Sequence, residues 1–309
     1  PADETGAWAG LSGKISGFKN VCEITAPSET SEALAIAVAL REAVEFGHTP
    51  AALVTADRTL ARRVSAELER FGIIADDSGG TPLDQTPPAA LFSLMLGLAF
   101  DTPDPASLLS LLQHPLTSLG RDRKSARRGA EVIDLQFLRG EVLPLQPDAI
   151  LALLRSPNKQ TVKNGRDWKW SHRFEPHEIE TAAELSLALG GALEPLRTLQ
   201  SSELVSVAEA SLASVRAFEA IGLDAETGLA RLYGGEAGEK FAELLRALCA
   251  LDGNFRFSPA EWPAVFRAFM SGQSVKPRHG SDPRVFIWGA LEARLQQVET
   301  VVLGGLNET

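Results

Sequence analysis

Three groups of basic residues are the parts of this sequence best suited to chemistry. Arg58, Arg62 and Arg63 open a helix-patterned stretch just after the short apolar run Ala51–Thr55. Arginines at a helix start can hold the phosphate of a nucleotide or of a nucleic-acid backbone, or they can form a solvated helix face. The run Arg121-Asp-Arg-Lys-Ser-Ala-Arg-Arg128 places five basic residues in eight: Arg121, Arg123, Lys124, Arg127 and Arg128. Such a run can track a DNA backbone, since each neutralised phosphate releases counterions, or it can be an exposed helix start. Between Lys159 and Arg173, the residues Lys163, Arg166, Lys169 and His172 alternate with Trp168 and Trp170. Bases of a single strand stack on indole faces in such settings. The competing reading buries one or both tryptophans as loop anchors.

Other candidates carry less. Asp76-Asp77 has no third ligand and no phosphate loop beside it, so a turn or cap role fits it better than a metal. His114 precedes Pro115 and reads as a helix-end residue. No spacing joins a nucleophile to a base, and no Gly-x-x-x-x-Gly-Lys-Ser/Thr loop occurs. We therefore expect no catalytic residue and no metal ligand in this chain. The net charge is −10, which argues against a surface coated uniformly by nucleic acid. The charge is uneven, however: Leu119 to Pro176 holds twelve Lys/Arg against seven Asp/Glu, a net of +5. Cys22 and Cys249 are the only cysteines and have no metal-ligand spacing, which reads as two buried free thiols in a reducing, cytoplasmic setting. No stretch has the roughly 18 apolar residues of a membrane span.

The elements that must position these residues follow from periodicity. Val21–Thr25, Ala51–Thr55 and a run beginning at Ile73-Ile74 read as short strands, with helices over 29–45 and 58–71 between them. Strand, helix and strand at this spacing predict a parallel sheet with crossovers. Helices follow at 89–100 and 105–113, then at 124–139, 148–155, 177–200, 203–221, 225–233, 236–250 and 259–271, with no strand alternation between 119 and 272. Val285–Trp288 and Val301–Leu303 return to buried-strand character. The expected organisation is an irregular leader (1–18), the first part of an α/β domain (19–118), an all-α insertion (119–272) and the returning strands (273–309). The start at Pro1 and the stop just after a strand read as an excised piece of a longer protein.

The order of these segments resembles the second motor domain of superfamily-1 DNA helicases, interrupted by its helical insertion. The residues that carry the likeness are Ala52 to Leu68, followed by Phe71-Gly-Ile73, and the closing Val301 to Glu308. Asp76 to Leu83, Thr86-Pro-Pro88, Leu108 to Pro115 and Val285 to Glu308 are similar to the AddB family, the non-motor partners in bacterial AddAB-type helicase–nucleases. The resemblance implies a discontinuous, P-loop-helicase-like α/β domain with a large all-α insertion. It departs from active motors at two places. Their arginine directly after the strand is replaced by Ala56, with Arg58 displaced by two, and their motif before the closing strand is reduced to Ala290–Gln296. A methyl group cannot stabilise charge on a transferring phosphoryl group. The resemblance thus implies an inactivated arm that guides DNA, single-stranded DNA foremost, beside an AddA-like motor subunit. ATP with magnesium and an iron–sulfur cluster belong elsewhere in such a complex. An active superfamily-1 helicase and a protein scaffold without DNA contact are the alternatives.

Overall fold

The structure is a computed structural model that describes residues 20–102, 104–138, 150, 151, 154, 174–251, 253, 255–276 and 281–306. It is mixed α/β and divides into two units: Pro1–Gly79 with Pro277–Thr309, and Gly80–Lys276. The first unit holds α1 (Glu29–Glu45), β1 (Ala51–Val54), α2 (Arg58–Arg70) and β2 (Asp76–Asp77) before the break. After the break it holds two returning strands, Val285–Trp288 and Thr300–Leu303. The second unit begins with β3 (Thr81–Pro82), α3 (Pro87–Phe100), α4 (Pro105–Gln113), α5 (Arg123–Ile133) and α6 (Pro176–Gln200). It continues with β4 (Val205–Ser206), α7 (Val207–Gly222), α8 (Gly235–Cys249), β5 (Arg256–Phe257), α9 (Trp262–Met270) and β6 (Ser274–Val275). The returning strands of the first unit are therefore β7 and β8.

In the first unit four strands form one parallel sheet in the order β2-β7-β1-β8. Ala51 pairs with Val285 on one side and with Thr300 on the other, so the two strands that return after the break flank β1. Leu53, Val285 and Ile287 are buried against Ile36, Ala37 and Leu40 of α1 and Leu60, Val64 and Leu68 of α2. Both helices start on side-chain caps. Ser28 Oγ accepts from Ser31 N at 3.2 Å, and Asp57 Oδ1 accepts from Thr59 N at 2.7 Å and Leu60 N at 3.1 Å. These bonds satisfy amides that a helix start leaves open. β8 is the outer strand, with Val301 and Leu303 exposed.

The second unit is built on rings. The Phe92 ring centroid lies 5.3 Å from that of Phe218, 5.4 Å from Phe241 and 4.2 Å from Phe266, tying α3, α7, α8 and α9 together. Trp262 is fully buried, and its Nε1 donates to Ser214 Oγ at 2.8 Å, which satisfies the one polar atom of the indole.

Several sequence expectations are corrected. Val21–Thr25 forms no strand; Val21 and Ile24 are exposed, and no described strand pairs with them. β-branched content alone does not make a strand without a neighbour. Ile73-Ile74 is not yet strand, because Ile73 N still bonds Leu68 O to close α2 and Gly72 turns at φ 75°. Pairing with β7 begins only at Asp76. Residues 225–233 are turns rather than a helix, with Asp224 and Gly228 exchanging backbone bonds. Between 119 and 272 there is a short antiparallel pair, Val205↔Phe257 and Ser206↔Arg256. The 124–139 helix is α5 followed by a π turn over Asp134–Leu138. The units divide at Gly79–Gly80 and Lys276–Pro277, not at 118 and 272. Leu91, Phe92, Met95, Leu108 and Leu111 of α3 and α4 belong to the core of the helical unit. The 1–18 leader and most of 148–155 lie outside the described residues.

Phe92→Ala removes the ring shared by three others. It is expected to destabilise the helical unit by about 3–5 kcal/mol, measured as a lowered urea midpoint in circular dichroism.

Candidate nucleic-acid interface

The carboxyl edge of the parallel sheet is where ligands sit in open α/β folds. Here β1 runs into Thr55, Ala56 and Asp57, and α2 starts at Arg58. Arg58 Nη2 lies 2.6 Å from Asp77 Oδ2 at the end of β2. Asp77 Oδ1 also accepts from Gly79 N at 2.9 Å, the turn role expected of that aspartate. A Cβ on Gly79 would fall within 2.6 Å of the Arg58 guanidinium, so only glycine lets the arginine lie across this turn. After β8, Gly304 N bonds Val54 O at 3.1 Å, and Gly305, at φ 74°, presents its N–H to Glu32 Oε1 at 2.8 Å. The edge thus gathers the carboxylates of Glu32, Asp57 and Asp77. Each is satisfied by groups of this same unit, and the exposed Ala56 stands between Thr55 and the Asp57 cap. An edge of this charge repels a phosphate more than it cradles one. Arg62 Nε bonds back to Arg58 O at 3.3 Å, and Arg63 is paired with Glu29.

In the helical unit the basic run divides into two sets. Asp122 caps α5, accepting from Ser125 N at 3.0 Å, and the Ser125 side chain and amide hold its carboxyl below the usual range. Arg121 is paired with Glu184 of α6. Arg123 donates to the carbonyl of Pro115. Arg128 lies 2.7 Å from Glu178 and 2.5 Å from Glu131, with its guanidinium 5.3 Å from the Phe174 ring centroid. The Arg128 hydrogen bond holds the Glu178 carboxyl below the ordinary range. Lys124 and Arg127, in contrast, are exposed and have no ion pair or hydrogen bond with any described residue. They are three residues apart on α5, so they share a face. Lys163 and Lys169 lie outside the described residues, as do Trp168 and Trp170.

The segment that leads into α5 is held by a buried carboxylate that the sequence reading did not single out. Asp224 Oδ1 accepts from Glu226 N and Thr227 N, each at 3.0 Å. Its Oδ2 accepts from Ser118 Oγ at 3.1 Å and lies 3.6 Å from Arg231 Nη1. The Thr227 amide, then the Glu226 amide and the Ser118 hydroxyl, keep the Asp224 carboxyl below its usual range against the opposing effect of burial. His114 ends α4 as expected. Its Nδ1 accepts from Leu116 N at 3.2 Å, and burial followed by the Arg123 charge favours the neutral imidazole.

Among the described residues no three His, Cys, Asp or Glu side chains cluster to hold a metal, and no helix is long and apolar enough to cross a membrane. No protein-family model matches the sequence, and no functionally curated protein matches it either.

Asp224→Ala strands the Ser118 hydroxyl and the Glu226 and Thr227 amides, and is expected to cost about 1–3 kcal/mol. Because the folded carboxyl titrates below the unfolded one, its contribution is fully present above the unfolded value and is lost as pH falls through the folded value. Thermal unfolding from neutral pH down past that point is expected to show a smaller acid-side loss in the variant than in the native protein.

Proposed function

We propose that this chain is part of an AddB-like subunit of a cytoplasmic DNA double-strand-break repair helicase–nuclease, and that it is a non-catalytic arm that guides DNA. The observation that carries this reading is the carboxyl edge of the sheet. Ala56 lies in the turn between β1 and α2 where the resemblance expects an arginine, and the nearest arginine, Arg58, lies on Asp77 between backbone-bound carboxylates. An arginine held by a carboxylate is poorly placed to meet a γ-phosphate, so ATP turnover falls to an AddA-like motor partner. The DNA contact in this reading belongs to Lys124 and Arg127, the two cations of the basic run that the chain leaves to solvent.

A second reading, a protein-binding scaffold without DNA contact, is favoured by one observation. Three of the five basic side chains in the run, Arg121, Arg123 and Arg128, are occupied within the chain.

Anisotropy of a labelled single-stranded oligonucleotide across a salt series separates the two. Under the first reading binding weakens steeply with salt. The double variant Lys124→Glu/Arg127→Glu then weakens binding and lowers the salt slope by about 1.4, the value for two lost single-strand phosphate contacts. Absence of binding at low salt, or an unchanged slope in the variant, removes the DNA-guiding role and leaves the scaffold.

A further inference from the structure

The helical unit carries a pocket that guiding DNA does not use. It opens between α7 and α8 and the turns that join them, with a volume of about 460 Å³. Val215, Ala242 and Leu245 give it apolar walls, and the Tyr233 side chain lines it as well. Tyr233 Oη donates to Glu219 Oε1 at 3.0 Å. The second oxygen of the Glu219 carboxylate has no protein partner among the described residues, although the side chain is half-buried. Glu239 and Arg246 also line it, and both are exposed. The pocket therefore has apolar walls and, in Glu219, a carboxylate with one oxygen not bonded by any described residue. A half-buried carboxylate with an unclaimed oxygen is poorly solvated, and a ligand that donates to that oxygen regains what burial took away.

We propose that this pocket binds a small organic cation, a protonated amine on an apolar body of about one ring, with the ammonium on Glu219 and the body against Val215, Leu245 and Tyr233. The Glu219 charge disfavours the corresponding carboxylate at that position. Size favours a compact body, and the open mouth at Glu239 and Arg246 admits it from solvent. Cys249 also lines the pocket, where burial and then the Glu219 charge raise its thiol above the ordinary range. Its alkylation rate is a built-in report of occupancy, and the exposed Cys22 is the internal control.

The test uses three probes that share one body: 4-phenylbutylammonium, 4-phenylbutanol and 4-phenylbutyrate. Dissociation constants come from ligand-observed NMR with the 309-residue protein. The ammonium is expected to bind about tenfold tighter than the alcohol, as one charge-assisted hydrogen bond provides, and the carboxylate weakest. The ammonium is also expected to slow maleimide alkylation of Cys249 but not of Cys22, read peptide by peptide in a mass spectrometer. Glu219→Gln keeps an acceptor for Tyr233 and so keeps the fold; it is expected to abolish the preference for the ammonium while the alcohol still binds. Equal binding of the three probes, no binding of any, a preference that survives Glu219→Gln, or an unprotected Cys249 would each overturn the proposal.

Discussion

The helical unit depends on one buried carboxylate. Asp224 gathers two backbone amides, a serine hydroxyl and an arginine from parts of the chain more than a hundred residues apart. Its bond from Ser118 falls in a stretch where Leu119 and Gly120 both lie at positive φ, a conformation that costs a leucine free energy. Ser118 N and Leu119 N bond Ile221 O, and Gly120 N bonds Leu223 O, so this strained turn is fastened to the end of α7. That attachment fixes where Asp122 caps α5. The cap in turn fixes which way Lys124 and Arg127 face. A buried charge is favourable only when it is fully bonded, and Asp224 meets that condition with two local amides, the nearby Arg231 and the distant Ser118 hydroxyl.

The first unit solves a related problem differently. Its carboxylates at the sheet edge are partly exposed, and each is assigned to a nearby amide or to Arg58. Local bonds of this kind organise a loop without needing a ligand. The consequence for chemistry is subtractive: groups that could have met a phosphate are turned toward each other. The basic run on α5 shows the same economy, with glutamates of α6 and α5 taking up Arg121 and Arg128.

What could be read in the sequence was what depends on neighbours along the chain. Ser28, Asp57, Asp104 and Asp122 each precede a helix and each caps it. The apolar runs 51–55, 285–288 and 301–303 each became a strand of one parallel sheet, with β7 and β1 inside it and β8 at its edge. What could not be read depends on partners far away. Glu178 and Glu184 meet Arg128 and Arg121 across 50 and 63 residues, and no local signal distinguishes those arginines from Lys124 and Arg127. Asp224 was missed because its partner Ser118 lies 106 residues away, while its bonds to the Glu226 and Thr227 amides are those any turn aspartate makes. The division at Gly79–Gly80 escaped because α3 and α4 carry helical patterns that say nothing of which core they join.

The placement of two indoles has a practical consequence. Trp262 is enclosed in the ring cluster of the helical unit, and Trp288 is nearly enclosed at the end of β7 in the sheet unit. Each unit therefore carries its own emitter in a dry environment, and loss of either enclosure shifts that emission to the red. In a background where Trp8, Trp168 and Trp170 are replaced by Phe, removing Trp262 or Trp288 leaves a single emitter in one unit. The melting of the sheet and the melting of the helices then become separate measurements, and whether the two units unfold as one cooperative body is a question that light alone can answer.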